Sequence, residues 1–161
     1  QVNPSRAGER EAMLAMARRF HAWAPNIAVK LPAVSAGLDV LEDCIAEGIT
    51  VTATVSFTVA QVIAIAKRCR AGRQRALRDG VTPGDCFAVI MIGRLDDYLR
   101  EVAADNRVPV SESDIRQAGL AVTKRAYRLY RDRGYEAVLL VAAFIGIVDQ
   151  VLNRAVSLVF H

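Results

Sequence analysis

The sequence predicts an α/β domain of parallel strands, and three observations carry that expectation. Short strand-like runs alternate with stretches of helical periodicity along nearly the whole chain. One run, Ile49 to Phe57, sets Thr50, Thr52 and Thr54 between apolar residues, so one strand face carries a column of hydroxyls. Another, Asn26 to Ala33, places a single lysine, Lys30, on the face opposite Ile27, Val29 and Leu31. Where strands are parallel and helices lie outside them, a polar strand face points into an enclosed interior.

In chain order, Gln1 to Asn3 is expected as the end of a strand, broken by Pro4. Ala12, Met13, Met16, Ala17, Phe20 and Trp23 recur at helical spacing and predict an amphipathic helix over 8–23, ended by Pro25. The lysine strand follows. Ser35 opens a second helix with Leu38, Leu41, Ile45 and Ala46 apolar and Gly48 as its C-cap. After the threonine strand, Thr58 to Arg70 returns to helical period, and residues 71–85, with Gly72, Gly80, Pro83 and Gly84, are expected as helix tail and loop. Phe87 to Ile92 is a third clear strand, Leu95 to Ala103 a short helix, and Asp105 to Val110 a connection. Ser111 starts a long helix from Glu112 to Arg133, with Ala118, Ala121, Val122, Ala126, Leu129 and Tyr130 inward and Gly134 at its end. Ala137 to Ala143 is a strand, Gly146 to Arg154 a short helix, and Ala155 to Phe160 a last strand.

Two architectures accommodate this alternation, an open doubly wound sheet and a closed (β/α)₈ barrel. The open sheet favours a glycine-rich first turn, which is not present; the barrel accounts for the polar interior face but needs eight strands. On the barrel expectation about six parallel strands are in hand, and about two N-terminal ones precede Gln1. The chain is expected to be one domain over 1–161, N-terminally truncated.

At 161 residues, 53% of them hydrophobic and 24% charged, the chain is long enough for a real core and too apolar to be disordered. Its net charge of +4 is mild, and the basic residues are spread mostly over expected helix surfaces such as 68–75 and 124–133 with no recognisable reading motif, so nucleic acid is not an expected partner. No apolar run reaches the roughly 20 residues of a membrane span, so no membrane partner is expected. Three cysteines without a CxxC pair predict reduced thiols in a cytoplasmic protein, and His21 and His161 are too few for a histidine metal centre.

A lysine within an apolar strand admits two explanations. Burial disfavours the charged amine and prepares it to attack a carbonyl and form a Schiff base; alternatively the side chain snorkels from the strand end or is neutralised by a buried carboxylate.

The ordered motifs weigh toward the first. Val29-Lys30-Leu31-Pro32-Ala33 with Ala36-Gly37-Leu38, Gly48-Ile49 leading to Thr54-Val55-Ser56-Phe57-Thr58 and Gln61, and Gly93-Arg94-Leu95-Asp96-Asp97-Tyr98 together resemble the transaldolase family, including its fructose-6-phosphate aldolase-like branch. The resemblance runs from Gln1 to about Phe160 and implies a barrel entered at its third strand. It implies that Lys30 forms the Schiff base with a ketose phosphate, that Thr54 and Gln1 hold the catalytic water, that Arg94 binds the sugar phosphate, and that Thr52 stands where relatives place a substrate-binding asparagine. No metal or organic cofactor is implied, and the partner is a small sugar phosphate, with homo-oligomer formation open. The expected class is aldol transfer or cleavage in carbohydrate metabolism, at a step of the pentose phosphate type.

Three positions depart from the family pattern. Thr52 is shorter than asparagine, Val89 replaces a hydroxyl before the Gly-Arg pair, and Ile145-Gly146 stand where a polar group near the phosphate is usual. Val89 and Ile145 favour an alternative, a degenerate non-catalytic barrel relative or assembly module, while the retention of Lys30, Thr54 and Arg94 speaks against it. A deoxyribose-phosphate aldolase relative fits the Gly-Arg-Leu-Asp stretch less well.

Overall fold

The structure is a computed structural model that describes residues 2–142. After a 3₁₀ turn at Pro4–Arg6 come α1 (Arg10–His21), β1 (Val29–Pro32), α2 (Ser35–Ala46), β2 (Val51–Thr54), α3 (Val59–Arg78), β3 (Cys86–Ile90), α4 (Ile92–Asp105), α5 (Glu112–Asp132) and β4 (Val138–Val141). The strands form one sheet in the order β1-β2-β3-β4, and every neighbouring pair is parallel. Strand order therefore follows chain order without the reversal that defines a doubly wound sheet. This is the arrangement of a (β/α) barrel wall, and it bears out the expected class with four of about six strands among the described residues.

The remaining expected strands fall at the two ends. Gln1 lies outside the described residues, but the Val2 N–H donates to the Lys30 carbonyl at 3.3 Å, a single ladder bond beside β1. The helix expected over Gly146 to Arg154 and the strand over Ala155 to Phe160 also lie outside them.

Alternation along the strands sorts the sheet into two faces. Val29 and Leu31, Val51 and Ala53, and Ala88 and Ile90 are all buried in the core, against Met13 of α1, Ile45 of α2, Ile65 of α3 and Tyr130 of α5. The helices thus cover one face, and the other has no helix layer among the described residues. Cys44, Cys69 and Cys86 are free and buried on the covered side; burial pushes the Cys44 thiol up to about 12. The Tyr130 hydroxyl, also buried, donates to the Val62 carbonyl at 2.6 Å and ties α5 to α3.

Charges join the outer layer. Asp43 of α2, itself buried, pairs with Arg10 of α1 and, at 2.8 Å, with Arg75 of α3. Arg68 of α3 reaches Asp39 and Glu42 of α2 at 2.7 and 2.8 Å. Separately, Arg100 of α4 forks onto Glu112 of α5 at 2.6 and 3.0 Å, and this guanidinium holds the Glu112 carboxyl down at about 2.

Several expected boundaries shift. The strands are four or five residues long, shorter than the apolar runs that signalled them, because only the hydrogen-bonded middle of each run is paired. The helix tail expected within residues 71–85 is there, and α3 runs to Arg78. Gly72 does not break it. A Cβ there would lie 2.6 Å from the Glu42 carbonyl oxygen and 3.0 Å from the Ile45 Cβ, so the glycine lets α3 rest directly on α2. Thr58 and Gln61 form a reciprocal capping box that starts α3, as Ser111 and Asp114 do for α5. Gly48 ends α2 at φ 80°, as expected. Ala121 is exposed rather than inward, since the buried stripe of α5 is Ile115, Gly119, Thr123, Ala126 and Tyr130. Trp23 is 63% exposed, past the end of α1, with its ring tilted against Phe20 at 4.8 Å.

Two outcomes follow from this packing. Gly72→Ala forces the backbone of α2 away, so its overpacking cost of about 1–3 kcal/mol outweighs the roughly 1 kcal/mol gained in helix propensity. Urea unfolding should show a lower midpoint, while Gly8→Ala, with nothing within 4 Å of the added methyl, should stay within about 0.5 kcal/mol of the parent. The Glu112 carboxylate is favoured by folding, so its stabilising contribution is complete above its unfolded pKa of about 4.5 and disappears as pH falls through about 2. An acid titration of stability should lose less over that window in Glu112→Gln than in the parent.

Candidate functional site

The site grows from the helix-free face. Register places Lys30 beside Thr52, Thr52 beside Phe87, and Phe87 beside Val138, one rung across all four strands. The next rung toward the C-terminal ends contains Pro32 beside Thr54, with Val89 beside Leu140 on the neighbouring pair. Lys30 and Thr52 are thus neighbours on strands about 4.8 Å apart, with Thr54 one rung further along the same face.

Lys30 was expected within an enclosed interior and is exposed. The correction has a simple cause: the four strands among the described residues make a wall and do not surround the amine. The lysine is nevertheless on the face away from the helices, since its neighbours Val29 and Leu31 are the ones buried against them. Neutralisation by a buried carboxylate is not what is observed, because among the described residues Lys30 has no ion-pair partner.

The threonine column is divided. Thr50 precedes β2, and its Oγ1 accepts the Asp85 N–H at 3.3 Å, tying the loop before β3. Thr52 is half-buried and Thr54 buried. The Thr54 hydroxyl donates to the Met91 sulfur at 3.8 Å. Arg94 sits in the first turn of α4, immediately after β3, so it belongs to the same C-terminal end of the sheet as Thr54. Its Nη1 is 3.5 Å from Asp97, which also holds Arg100 at 2.8 Å. The Gly93 N–H donates to the Ala142 carbonyl at 3.3 Å, fixing this turn to the end of β4. Asp96, the other acid of the motif, faces α5 instead: its Oδ1 is buried without a hydrogen bond, and burial pushes its carboxyl up. Structure therefore brings Lys30, Thr52 and Thr54 onto one face and Arg94 to its C-terminal edge. Gln1, Ile145 and Gly146 lie outside the described residues. Among the described residues no cluster of three or more His, Cys, Asp or Glu side chains forms a metal site.

Two features were not anticipated. Val55, directly after Thr54, adopts φ 61°, a conformation rare for any residue with a side chain and costly for a β-branched one. That twist breaks the alternation, and Ser56 leaves the hydroxyl column. The Ser56 Oγ donates to the Val89 carbonyl, and its own carbonyl accepts the Met91 N–H at 2.9 Å, so the ends of β2 and β3 are joined twice. The period-2 pattern from Thr50 to Ser56 hides this, because an even position with a hydroxyl is what a continuing strand would also show. Other motif residues are explained by packing. A Cβ on Gly37 would fall 2.0 Å from the Pro32 carbonyl oxygen, so α2 begins pressed onto the end of the lysine strand. Gln61 serves the capping box.

The family model described as Transaldolase/Fructose-6-phosphate aldolase matches residues 1–157. The chain is 30% identical over 135 residues to a transaldolase of Parafrankia sp. (strain EAN1pec), covering 81% of this chain and 36% of that protein. It is 28% identical over 137 residues to transaldolase 1 of Streptomyces avermitilis, with 82% and 36% covered. A probable transaldolase of Dehalococcoides mccartyi is 25% identical over 131 residues, with 81% and 46% covered. The chain thus spans less than half the length of these relatives. No helix among the described residues is long and apolar enough to cross a membrane.

The strained turn gives a third outcome. Val55 is 44% exposed, so Val55→Gly removes little buried surface while relieving about 1–3 kcal/mol of backbone strain. Denaturant unfolding should show this variant as stable as the parent or more so, against the loss expected of valine to glycine in an ordinary strand.

Proposed function

Because the chain belongs to the transaldolase/fructose-6-phosphate aldolase family, we propose that it carries the Schiff-base part of a transaldolase-type site acting on ketose phosphates. The observation that carries this proposal is the shared rung of Lys30 and Thr52 with Thr54 beyond it, on the sheet face that no helix covers among the described residues. On this proposal the Lys30 amine adds to the ketose carbonyl and water leaves. The resulting protonated imine accepts electrons as the bond between the third and fourth carbons breaks. An aldehyde departs, and the enamine left on Lys30 adds to an acceptor aldehyde.

Thr54 and Gln1 hold the water that relays protons as the imine forms and later hydrolyses it, and Thr52 contacts a substrate hydroxyl. Arg94 receives the phosphate, for which a guanidinium fork and the N-terminal end of α4 are both suited. Catalysis of this kind needs bulk water excluded around the imine, leaving the one held water. The helix-free face must therefore be enclosed, by further barrel strands of a longer protein or by a second copy of the chain. A cytoplasmic place in carbohydrate metabolism goes with this function.

A non-catalytic relative is the second reading, favoured by Val89 in place of a hydroxyl and by the exposure of Lys30. Borohydride reduction in the presence of fructose 6-phosphate or dihydroxyacetone separates the two. The enzymatic proposal expects a stable adduct on Lys30, lost in Lys30→Ala and kept in Lys67→Ala. Equal labelling of Lys30→Ala overturns the lysine assignment, and no labelling with any donor supports the non-catalytic relative.

A further inference from the structure

Residues 124–133 hold five of the 21 basic side chains, Lys124, Arg125, Arg128, Arg131 and Arg133, against one acidic residue, Asp132. This stretch carries a net +4, the formal charge of the whole chain. Elsewhere many arginines are engaged: Arg6, Arg10, Arg18, Arg68, Arg75 and Arg100 all meet carboxylates. Among the described residues none of the five has such a partner, and all five are exposed.

Sequence inspection sees these charges as spread over helix surfaces; helix geometry gathers them. At about 100° per residue, Lys124, Arg128 and Arg131 fall within roughly 60° of one another, opposite the buried stripe of α5, with Arg125 on the flank. Dipole compensation at a helix C-terminus does not account for the stripe. Lys124 lies more than two turns upstream of the helix end, and the Arg70 guanidinium already donates to the terminal carbonyls of Arg133 and Gly134 at 2.8 and 2.7 Å.

The chemistry of the stripe narrows its partner. Four of the five cations are arginines, whose forks suit phosphate oxygens. Tyr127 is 38% exposed, and the Arg131 guanidinium lies 6.0 Å from its ring centroid, so an aromatic surface adjoins the cations. The preceding outward positions, Gln117 and Ala121, offer no bulky apolar side chain of the kind a bilayer or a protein hot spot would bury.

We propose that this face of α5 binds single-stranded nucleic acid along its phosphate backbone, independently of sequence, with an unpaired base against Tyr127. The face is on the outer wall of the barrel segment and does not depend on the aldolase reading. Fluorescence anisotropy of a labelled oligouridylate, titrated with the whole chain between about 50 and 200 mM KCl, tests it. Four phosphate contacts predict a slope of about −3 in log affinity against log salt. Lys124→Glu/Arg128→Glu/Arg131→Glu should weaken binding at least about tenfold at the lower salt with an unchanged unfolding curve, and Tyr127→Ala should weaken it about fivefold with the slope kept. Parent-like binding by the charge-reversal variant, or no binding by the parent at the lowest salt, overturns the proposal. Equal affinity for a duplex of the same length or for anionic phospholipid vesicles overturns its assignment to single strands.

Discussion

The burial of one sheet face against helices is the constraint from which the rest of the molecule follows. Parallel strands need crossovers, and each crossover here returns a helix to the same side. Once Val29, Leu31, Val51, Ala53, Ala88 and Ile90 are committed to that side, the pleat leaves the opposite face no choice. Lys30, Thr52 and Thr54 occupy it because their neighbours are greasy, and a one-residue slip of β1 would send the lysine into the core. Hydrophobic patterning and site placement are the same fact seen from two sides.

The motif residues divide into those that hold the scaffold and those left for chemistry. Gly37 and Gly72 allow backbones to touch, and Gln61 starts a helix. Asp97 occupies itself with two guanidiniums. Lys30 and Thr52 have no comparable structural duty, whereas Thr54 spends its hydroxyl on a thioether, a weak acceptor that gives little up when a better one arrives. A residue type that recurs without packing to justify it is the better guide to function.

Much of this was legible in the sequence. Strand and helix alternation, the Ser35, Thr58 and Ser111 starts and the Gly48 stop all depend on local chemistry and were correctly placed. The facing of Lys30 and the threonines was legible too, because alternation fixes it. Exposure was not, because whether a face is covered depends on elements far away in the fold. The helix tail after Arg70 was legible, but the role of Gly72 was not, since glycine's usual role as a breaker concealed the contact with Glu42 and Ile45. The twist at Val55 was invisible for a different reason: no property of valine favours φ 61°, and the bridge from Ser56 to β3 that accompanies it is a contact distant in sequence.

Arg70 shows how the last described strand finds its place. Its guanidinium grips the carbonyls of Arg133 and Gly134, lies 4.4 Å over the Tyr135 ring and stands 3.6 Å from Glu136. All four residues belong to the short connection into β4. A helix four elements earlier in the chain therefore aims that strand, and the outermost part of the described wall inherits its alignment from a contact made across the outside.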